Sequence, residues 1–68
     1  MVKKLITVYG MTCEKCRTTI IHGLERVNGI DRVSVNLPDS LVEVNFYPEI
    51  ITIDEVKEKI TDLGYDPM

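Results

Sequence analysis

The fold is decided by residues 2–27, VKKLITVYGMTCEKCRTTIIHGLERV, because the spacing of the apolar residues changes within this stretch. Residues 2–9 alternate, with Ile6 and Val8 on one face, and this pattern predicts a strand. Gly10 ends the alternation. From Glu14 onward, apolar side chains recur every three or four residues, as on one face of a helix: Cys16, Ile20, Leu24 and Val27.

The rest of the chain repeats this change of period. Residues 30–37 and 42–46 alternate around a turn at residues 38–40, which predicts a hairpin. Thr52 and Glu55 form a capping box at the start of a second helix, and residues 65–68 leave room for a short last strand. Each strand has one apolar and one polar face, so we expect a sheet covered on one side.

The predicted fold class is therefore α+β. It is a ferredoxin-like βαββαβ two-layer sandwich, with a four-stranded antiparallel sheet and two helices on one face. A chain of 68 residues allows one domain, covering residues 1–68. We expect the first helix to end at Asn28 and Gly29. We expect Ile21 to be exposed. The second helix should direct four side chains toward the core: Ile53, Val56, Ile60 and Leu63.

Composition excludes several classes of function. The 8 basic and 11 acidic residues give a formal charge of −3, which argues against nucleic acid and against an electrostatic membrane anchor. No stretch approaches the roughly 18 apolar residues of a membrane span. The apolar run after Lys4 is too short for a signal peptide. These features predict a cytoplasmic protein that is not inserted in a membrane.

The cysteines point to chemistry and not to a structural bridge. There are two, Cys13 and Cys16, and a disulfide that closes so short a loop adds little stability. Cys13 lies in the predicted loop, and Cys16 lies one turn into the helix. The start of a helix favours a thiolate over a thiol, and thiolates bind soft ions such as Cu(I) and Zn(II).

Coordination number distinguishes these two ions. A structural zinc site takes four protein ligands. His22 comes six residues after Cys16, about 600° around the helix and nearly two turns from the loop. A closed zinc site within one chain is therefore disfavoured, whereas two sulfurs satisfy Cu(I). Zinc or cadmium completed by a second molecule, and thiol–disulfide exchange at the same C-x-x-C pair, remain alternatives.

The residues Gly10–Cys16, GMTCEKC, resemble the signature of the heavy-metal-associated domain family. The resemblance extends over essentially the whole chain, including the Gly64-Tyr65 pair near its end. It implies that Cys13 and Cys16 are the metal ligands, that Met11 tucks into the core, and that Tyr65 lies beside the site. By the same resemblance, Thr12 before the first cysteine favours Cu(I).

In that family the chain resembles a bacterial copper chaperone or a metal-binding domain of a copper-transporting P-type ATPase. The implied function is a Cu(I) carrier, not an enzyme, that passes copper to such an ATPase by ligand exchange. A homodimer bridged by metal is a further hypothesis. The rival functions are a thiol–disulfide redox module and a metal-sensing, zinc-binding or cadmium-binding domain of a heavy-metal transporter.

Overall fold

The computed structural model describes residues 1–11 and 13–67. Its elements are β1 (Val2–Tyr9), α1 (Glu14–Glu25), β2 (Ile30–Asn36), β3 (Leu41–Phe46), α2 (Ile53–Asp62) and β4 (Asp66–Pro67). The predicted order of strands and helices is thus confirmed. Thr12, on which the preference for Cu(I) partly rested, and Met68, the predicted end of the last strand, lie outside the described residues.

The four strands form one antiparallel sheet in the order β2-β3-β1-β4. The register pairs Val2 with Phe46 and Ile6 with Val42, whereas β4 pairs only with Val8 and Tyr9. Both helices lie on one face of this sheet, as predicted. No helix in the described part of the chain is long and apolar enough to cross a membrane.

A single apolar core lies between the sheet and the helices. No polar or charged side chain is buried within the described residues, so every polar side chain there keeps access to solvent. Ile51, which the sequence reading did not place in the core, is buried just before α2. The buried residues are Ile6, Val8, Met11, Ile20, Leu24, Val33, Val42, Val44, Phe46, Ile51, Val56 and Ile60.

The predicted end of α1 is wrong by about one turn. The helix ends at Glu25, with Arg26 as its C-cap. The chain from Val27 to Ile30 forms a separate turn, in which the Ile30 amide donates to the Val27 carbonyl at 3.2 Å. Gly29 has a φ of +100° in this turn, and its carbonyl accepts a hydrogen bond from the Tyr47 amide at 2.8 Å. The turn after α1 is thus hydrogen-bonded to the segment that follows β3.

Two predictions about helix faces also need correction. Ile21 is half-buried and packs against the core, because the apolar stripe of α1 is wider than the three-and-four spacing indicated. Leu63 is the C-cap of α2 and not part of the helix. It lies against Gly23 of α1, where an added Cβ would come within 2.7 Å of Leu63 Cδ1. The two helices are thus in close contact at Gly23.

Two glycines with the same backbone conformation differ in their surroundings, and this difference can be measured. Gly29 and Gly64 have φ values of +100° and +97°. A Cβ on Gly29 would lie 2.9 Å from Ile51 Cγ2, whereas a Cβ on Gly64 would have nothing within 4 Å. We expect Gly64→Ala to cost about 1–2 kcal/mol, the strain of a left-handed residue.

Gly29→Ala should cost ~1–3 kcal/mol more than Gly64→Ala, because the added methyl overpacks the core beside Ile51. Urea unfolding of the reduced protein measures both losses. Equal losses would show that the neighbours of Gly29 move aside without cost, contrary to this expectation.

Candidate metal centre

Cys13 is the N-cap of α1 and is exposed. Its backbone is extended, with φ −156° and ψ 170°, and its side chain makes no capping hydrogen bond. Its carbonyl accepts hydrogen bonds from the amides of Cys16 at 3.1 Å and Arg17 at 3.3 Å. The thiol therefore lies at the positive end of the helix, where a negative charge is favoured.

Cys16 lies in the first turn of α1 and is half-buried against the core. Its Sγ is 3.6 Å from Cys13 Sγ and 4.0 Å from the carbonyl oxygen of Gly10. A disulfide bond is about 2.05 Å long, so these are two separate thiol groups. The structure thus brings the two predicted ligand residues together, one open to solvent and the other partly covered.

Met11 holds the loop that carries Cys13. Its side chain is 7% exposed and belongs to the core cluster, as the sequence predicted. Burying a methionine contributes about 1.5–3 kcal/mol, so the position of the loop is coupled to the packing of the core. The chain is therefore fixed in the core at Met11, and Cys13 lies at the surface two residues later.

Tyr65 lies beside the cysteines and is half-buried. The end of α2 fixes its backbone, because the Tyr65 amide donates to the Ile60 carbonyl at 3.3 Å and the Gly64 amide donates to Thr61 at 2.9 Å. This pair of bonds is a Schellman motif. The Tyr65 ring borders Gly10, where an added Cβ would lie 3.5 Å from the ring.

Cys16 and Thr19 are the two side chains whose hydrogen-bonding groups act on the pKa of the Tyr65 hydroxyl. The bond to Cys16 raises the pKa of Tyr65 above 10.0, with smaller contributions from burial and from the negative charge of the two cysteines, whereas the bond with Thr19 lowers it. At neutral pH Tyr65 is therefore a neutral hydroxyl with a proton to donate. Sequence reading placed Tyr65 beside the site only through the family resemblance.

Thr19 is the residue of this site that sequence reading missed. A signal was present, because Thr19 follows Cys16 by three positions on α1, and residues three or four apart on a helix are neighbours. The sequence did not show that the end of α2 places Tyr65 close to Thr19.

The histidine lies at the end of α1 opposite to the cysteines. His22 is exposed in the last turn of α1. Within residues 1–11 and 13–67, no group of three or more His, Cys, Asp or Glu side chains is placed to hold a metal ion. Arg17 pairs with Glu14 at 2.8 Å on the exposed side of α1. A surface pair of this kind contributes about 0–1 kcal/mol.

The fold is a ferredoxin-like sandwich, and two adjacent thiols lie at the start of its first helix. Thiol ligands suit soft metal ions. The family described as Heavy-metal-associated domain matches residues 5–66. The chain belongs to this family, as the GMTCEKC stretch predicted.

Individual relatives agree with this assignment. The chain is 38% identical over 66 residues to the "Copper chaperone CopZ" of Staphylococcus epidermidis, and the match covers 97% of both chains. It is 36% identical over 61 residues to a "Copper-exporting P-type ATPase" of Staphylococcus aureus, covering 90% of this chain and 8% of the ATPase. A solved "copper binding domain from HMA7, a P-type ATPase" superimposes with a TM-score of 0.97 at 34% identity, covering 100% of this chain and 92% of that domain.

The hydrogen bond between Tyr65 and Cys16 predicts a tyrosine that ionises late. In a Tyr9→Phe/Tyr47→Phe background Tyr65 is the remaining tyrosine of three, and we expect its absorbance titration to have a midpoint above 10. Cys16→Ala should move the midpoint back toward 10, because the acceptor and its charge are both removed. An unchanged midpoint in Cys16→Ala would contradict the assigned bond.

The same shift predicts how stability depends on pH. The folded chain raises the pKa of Tyr65 above its unfolded value, so folding favours the protonated hydroxyl. This contribution is fully present below about pH 10 and is lost as the pH rises through the folded pKa. Urea unfolding between pH 8 and 11 should show a smaller alkaline loss of stability in Tyr65→Phe than in the parent chain.

Proposed function

We propose that this domain is a Cu(I) carrier, not an enzyme, and that it holds one Cu(I) between Cys13 and Cys16. The observation that carries the proposal is the 3.6 Å separation of the two sulfur atoms at one exposed end of the molecule. Two thiolates make a soft donor set. The absence of a third nearby His, Cys, Asp or Glu ligand among the described residues suits an ion that needs only two ligands.

The positions of the two sulfurs suit capture of an ion. With metal–sulfur bonds of about 2.3 Å, a linear arrangement separates the sulfurs by about 4.6 Å, so one of them has to move outward. Cys13 is exposed, and its side chain makes no capping bond, so it is free to rotate. Cys16 packs against the core and provides the fixed half of the site.

Copper then leaves by thiolate exchange. A thiolate of the acceptor binds Cu(I) while both cysteines still hold it, and the bond to Cys13 breaks next. A second acceptor thiolate replaces Cys16 in the same way. Each step forms one copper–sulfur bond and breaks one, and copper stays in the +1 state. Because Cys13 is the more exposed sulfur, we expect exchange to begin there.

The relatives support this function and suggest the acceptor. A protein 38% identical over nearly its whole length is named a copper chaperone. A segment of a copper-exporting P-type ATPase is 36% identical to this chain. We propose that a domain of a copper-transporting P-type ATPase exchanges copper with this chain, and that the exchange takes place in the cytoplasm.

The two-thiolate proposal predicts how variants respond in an anaerobic Cu(I) titration against a competing chelator. The reduced protein should bind one Cu(I) per chain, far more tightly than Zn(II). Cys13→Ser and Cys16→Ser should each lose more than about 100-fold in affinity, since replacing mere supporting groups already costs 10–100-fold. His22→Ala, which removes the one histidine, should bind as the parent does.

Other outcomes of the same titration favour the rivals. Tight one-to-one binding by Cys13→Ser would contradict the proposal. Zinc or cadmium held more tightly than Cu(I) would favour the transporter-domain alternatives. One ion per two chains, with a doubled mass in sedimentation, would indicate the metal-bridged homodimer. Catalysed reduction of insulin by the chain, lost in both serine variants, would favour the redox module.

The outer face of α1 offers a docking surface beside the cysteines. Lys15, His22 and Arg26 are exposed and line one shallow groove with Thr18 and Thr19. Their spacing along the helix places them on the side away from the core. The whole chain carries a charge of −3, whereas Lys15 and Arg26 give this groove two positive charges. We propose that it meets acidic side chains of the ATPase domain.

Charge reversal on this face should weaken docking. We expect Lys15→Glu to weaken the copper-loaded complex with the ATPase domain by about fivefold, the equivalent of ~1 kcal/mol for an exposed pair. Lys59→Glu is the matched control, because Lys59 is equally exposed on α2 and the charge change is the same. Calorimetry at low and high salt measures the affinity of each variant for the ATPase domain. Equal losses in the two variants would assign the effect to net charge and would contradict a surface on α1.

A further inference from the structure

Asn28 and Gly29 occupy the centre of the turn that joins α1 to β2. The turn closes with a hydrogen bond from the Ile30 amide to the Val27 carbonyl at 3.2 Å, and Gly29 has a φ of +100°. Among the described residues other than glycine, Ser40 alone has a positive φ, so the φ of Asn28 is negative. This combination defines a type II turn, with Gly29 at the position that favours glycine.

The peptide unit that joins Asn28 to Gly29 takes no part in the hydrogen bonds of this turn. Within residues 1–11 and 13–67, nothing accepts a hydrogen bond from the Gly29 amide, and nothing donates one to the Asn28 carbonyl. The Gly29 carbonyl, which belongs to the next peptide unit, accepts from the Tyr47 amide at 2.8 Å. The unbonded unit can therefore rotate while the turn stays closed, because glycine tolerates φ of either sign.

This arrangement leaves the side chain of Asn28 open to an internal reaction. Asn28 is exposed, and its carboxamide makes no hydrogen bond with any described residue. Rotation of the peptide unit brings the Gly29 nitrogen toward Asn28 Cγ, and no side chain at Gly29 obstructs the approach. The nitrogen then bonds to Cγ while its proton leaves with the amide group as ammonia, which gives a five-membered succinimide. Water opens this ring to aspartate or to isoaspartate, so the reaction needs no oxidant or reductant.

The other asparagines of the chain lack this combination. The sequence has three, at positions 28, 36 and 45. Asn36 is exposed, but its Nδ2 donates to Asp39 Oδ2 at 3.1 Å, its Oδ1 accepts from the Asp39 amide at 3.4 Å, and a leucine follows it. Asn45 lies within β3, paired with strands on both sides, and a phenylalanine follows it. The chain thus contains two internal controls for Asn28.

We propose that Asn28 is a site of spontaneous deamidation in the folded protein, and that the isoaspartate it forms weakens the fold. Isoaspartate carries the main chain through its side-chain carbon, which lengthens the turn by one methylene group. The turn has little space for this, because a Cβ on Gly29 would already lie 2.7 Å from Ile50 Cγ2. The longer chain should therefore break the bond to Tyr47 or the closure of the turn. The cysteines lie at the other end of α1, about 18 Å away along its 12 residues, so the proposal is independent of metal binding.

The test follows the reduced, metal-free chain at 37 °C and pH 8, folded in buffer and unfolded in urea. Peptide mass spectrometry measures the conversion of each asparagine, and methylation by an isoaspartyl methyltransferase measures the isoaspartate. Asn28 should convert about tenfold faster or more than Asn36 and Asn45, a difference of ~1.4 kcal/mol between the barriers. In the folded chain, Asn28 should convert within about tenfold of its rate in urea, because the reaction requires only local rotation and not unfolding.

Variants separate the ring closure from its consequence. Asn28→Gln keeps a side-chain amide but needs a larger ring, so it should stay unmodified over the same period. Asn36→Gln is the matched control and should leave the rate at Asn28 unchanged. The isoaspartate fraction, separated by chromatography, should unfold at a lower urea concentration than Asn28→Asp, which has the same new charge on an ordinary backbone.

Three results would overturn the proposal. The first is protection of Asn28 in the folded chain by more than about tenfold relative to urea, which would show that the turn holds the peptide unit in place. The second is a rate at Asn28 no faster than the rate at Asn36. The third is equal stability of the isoaspartate fraction and Asn28→Asp, which would show that the turn accommodates the longer chain.

Discussion

The burial of Met11 is the contact on which the cysteine pair depends. The loop between β1 and α1 has to leave the sheet and start a helix within a few residues, and the buried side chain of Met11 fixes where this happens. With Met11 in the core, Cys13 caps the helix at the surface and Cys16 faces back toward the domain. The buried side chain of Met11 thus holds the thiol of Cys13 at an exposed position. No polar side chain is buried among the described residues.

The second support of the site comes from the far end of the sequence. The Schellman turn after α2 fixes the backbone of Tyr65, and the close contact of Leu63 with Gly23 sets how near α2 lies to α1. The two cysteines consequently have different surroundings, one exposed and the other beside a tyrosine hydroxyl. Under the proposed function, we expect ligand exchange to begin at Cys13, because Cys13 is the more exposed of the two cysteines.

The family resemblance placed Met11 in the core, whereas local pattern was enough to predict the order of the elements and the capping box at Thr52. These features depend on neighbours a few residues away, and the chain shows them directly. The predicted end of α1 was wrong. The turn that follows the helix is hydrogen-bonded to the segment after β3, and no local signal reveals such a long-range contact. Thr19 was missed although it follows Cys16 by three positions, because Tyr65, whose pKa it affects, is distant from it in the sequence. The cysteines as copper ligands stay a prediction.

The edge of β1 beyond its described pairing with β4 carries two lysines, Lys3 and Lys4. Within the described residues, β4 pairs only with Val8 and Tyr9, so the stretch of β1 before them has a strand on one side only. Open strand edges invite pairing between molecules, and lysines along such an edge discourage it. Lys3 and Lys4 are exposed on this stretch. Lys3 pairs with Glu43 at 3.7 Å, and we expect the charge of Lys4 to discourage edge-to-edge pairing of two copies.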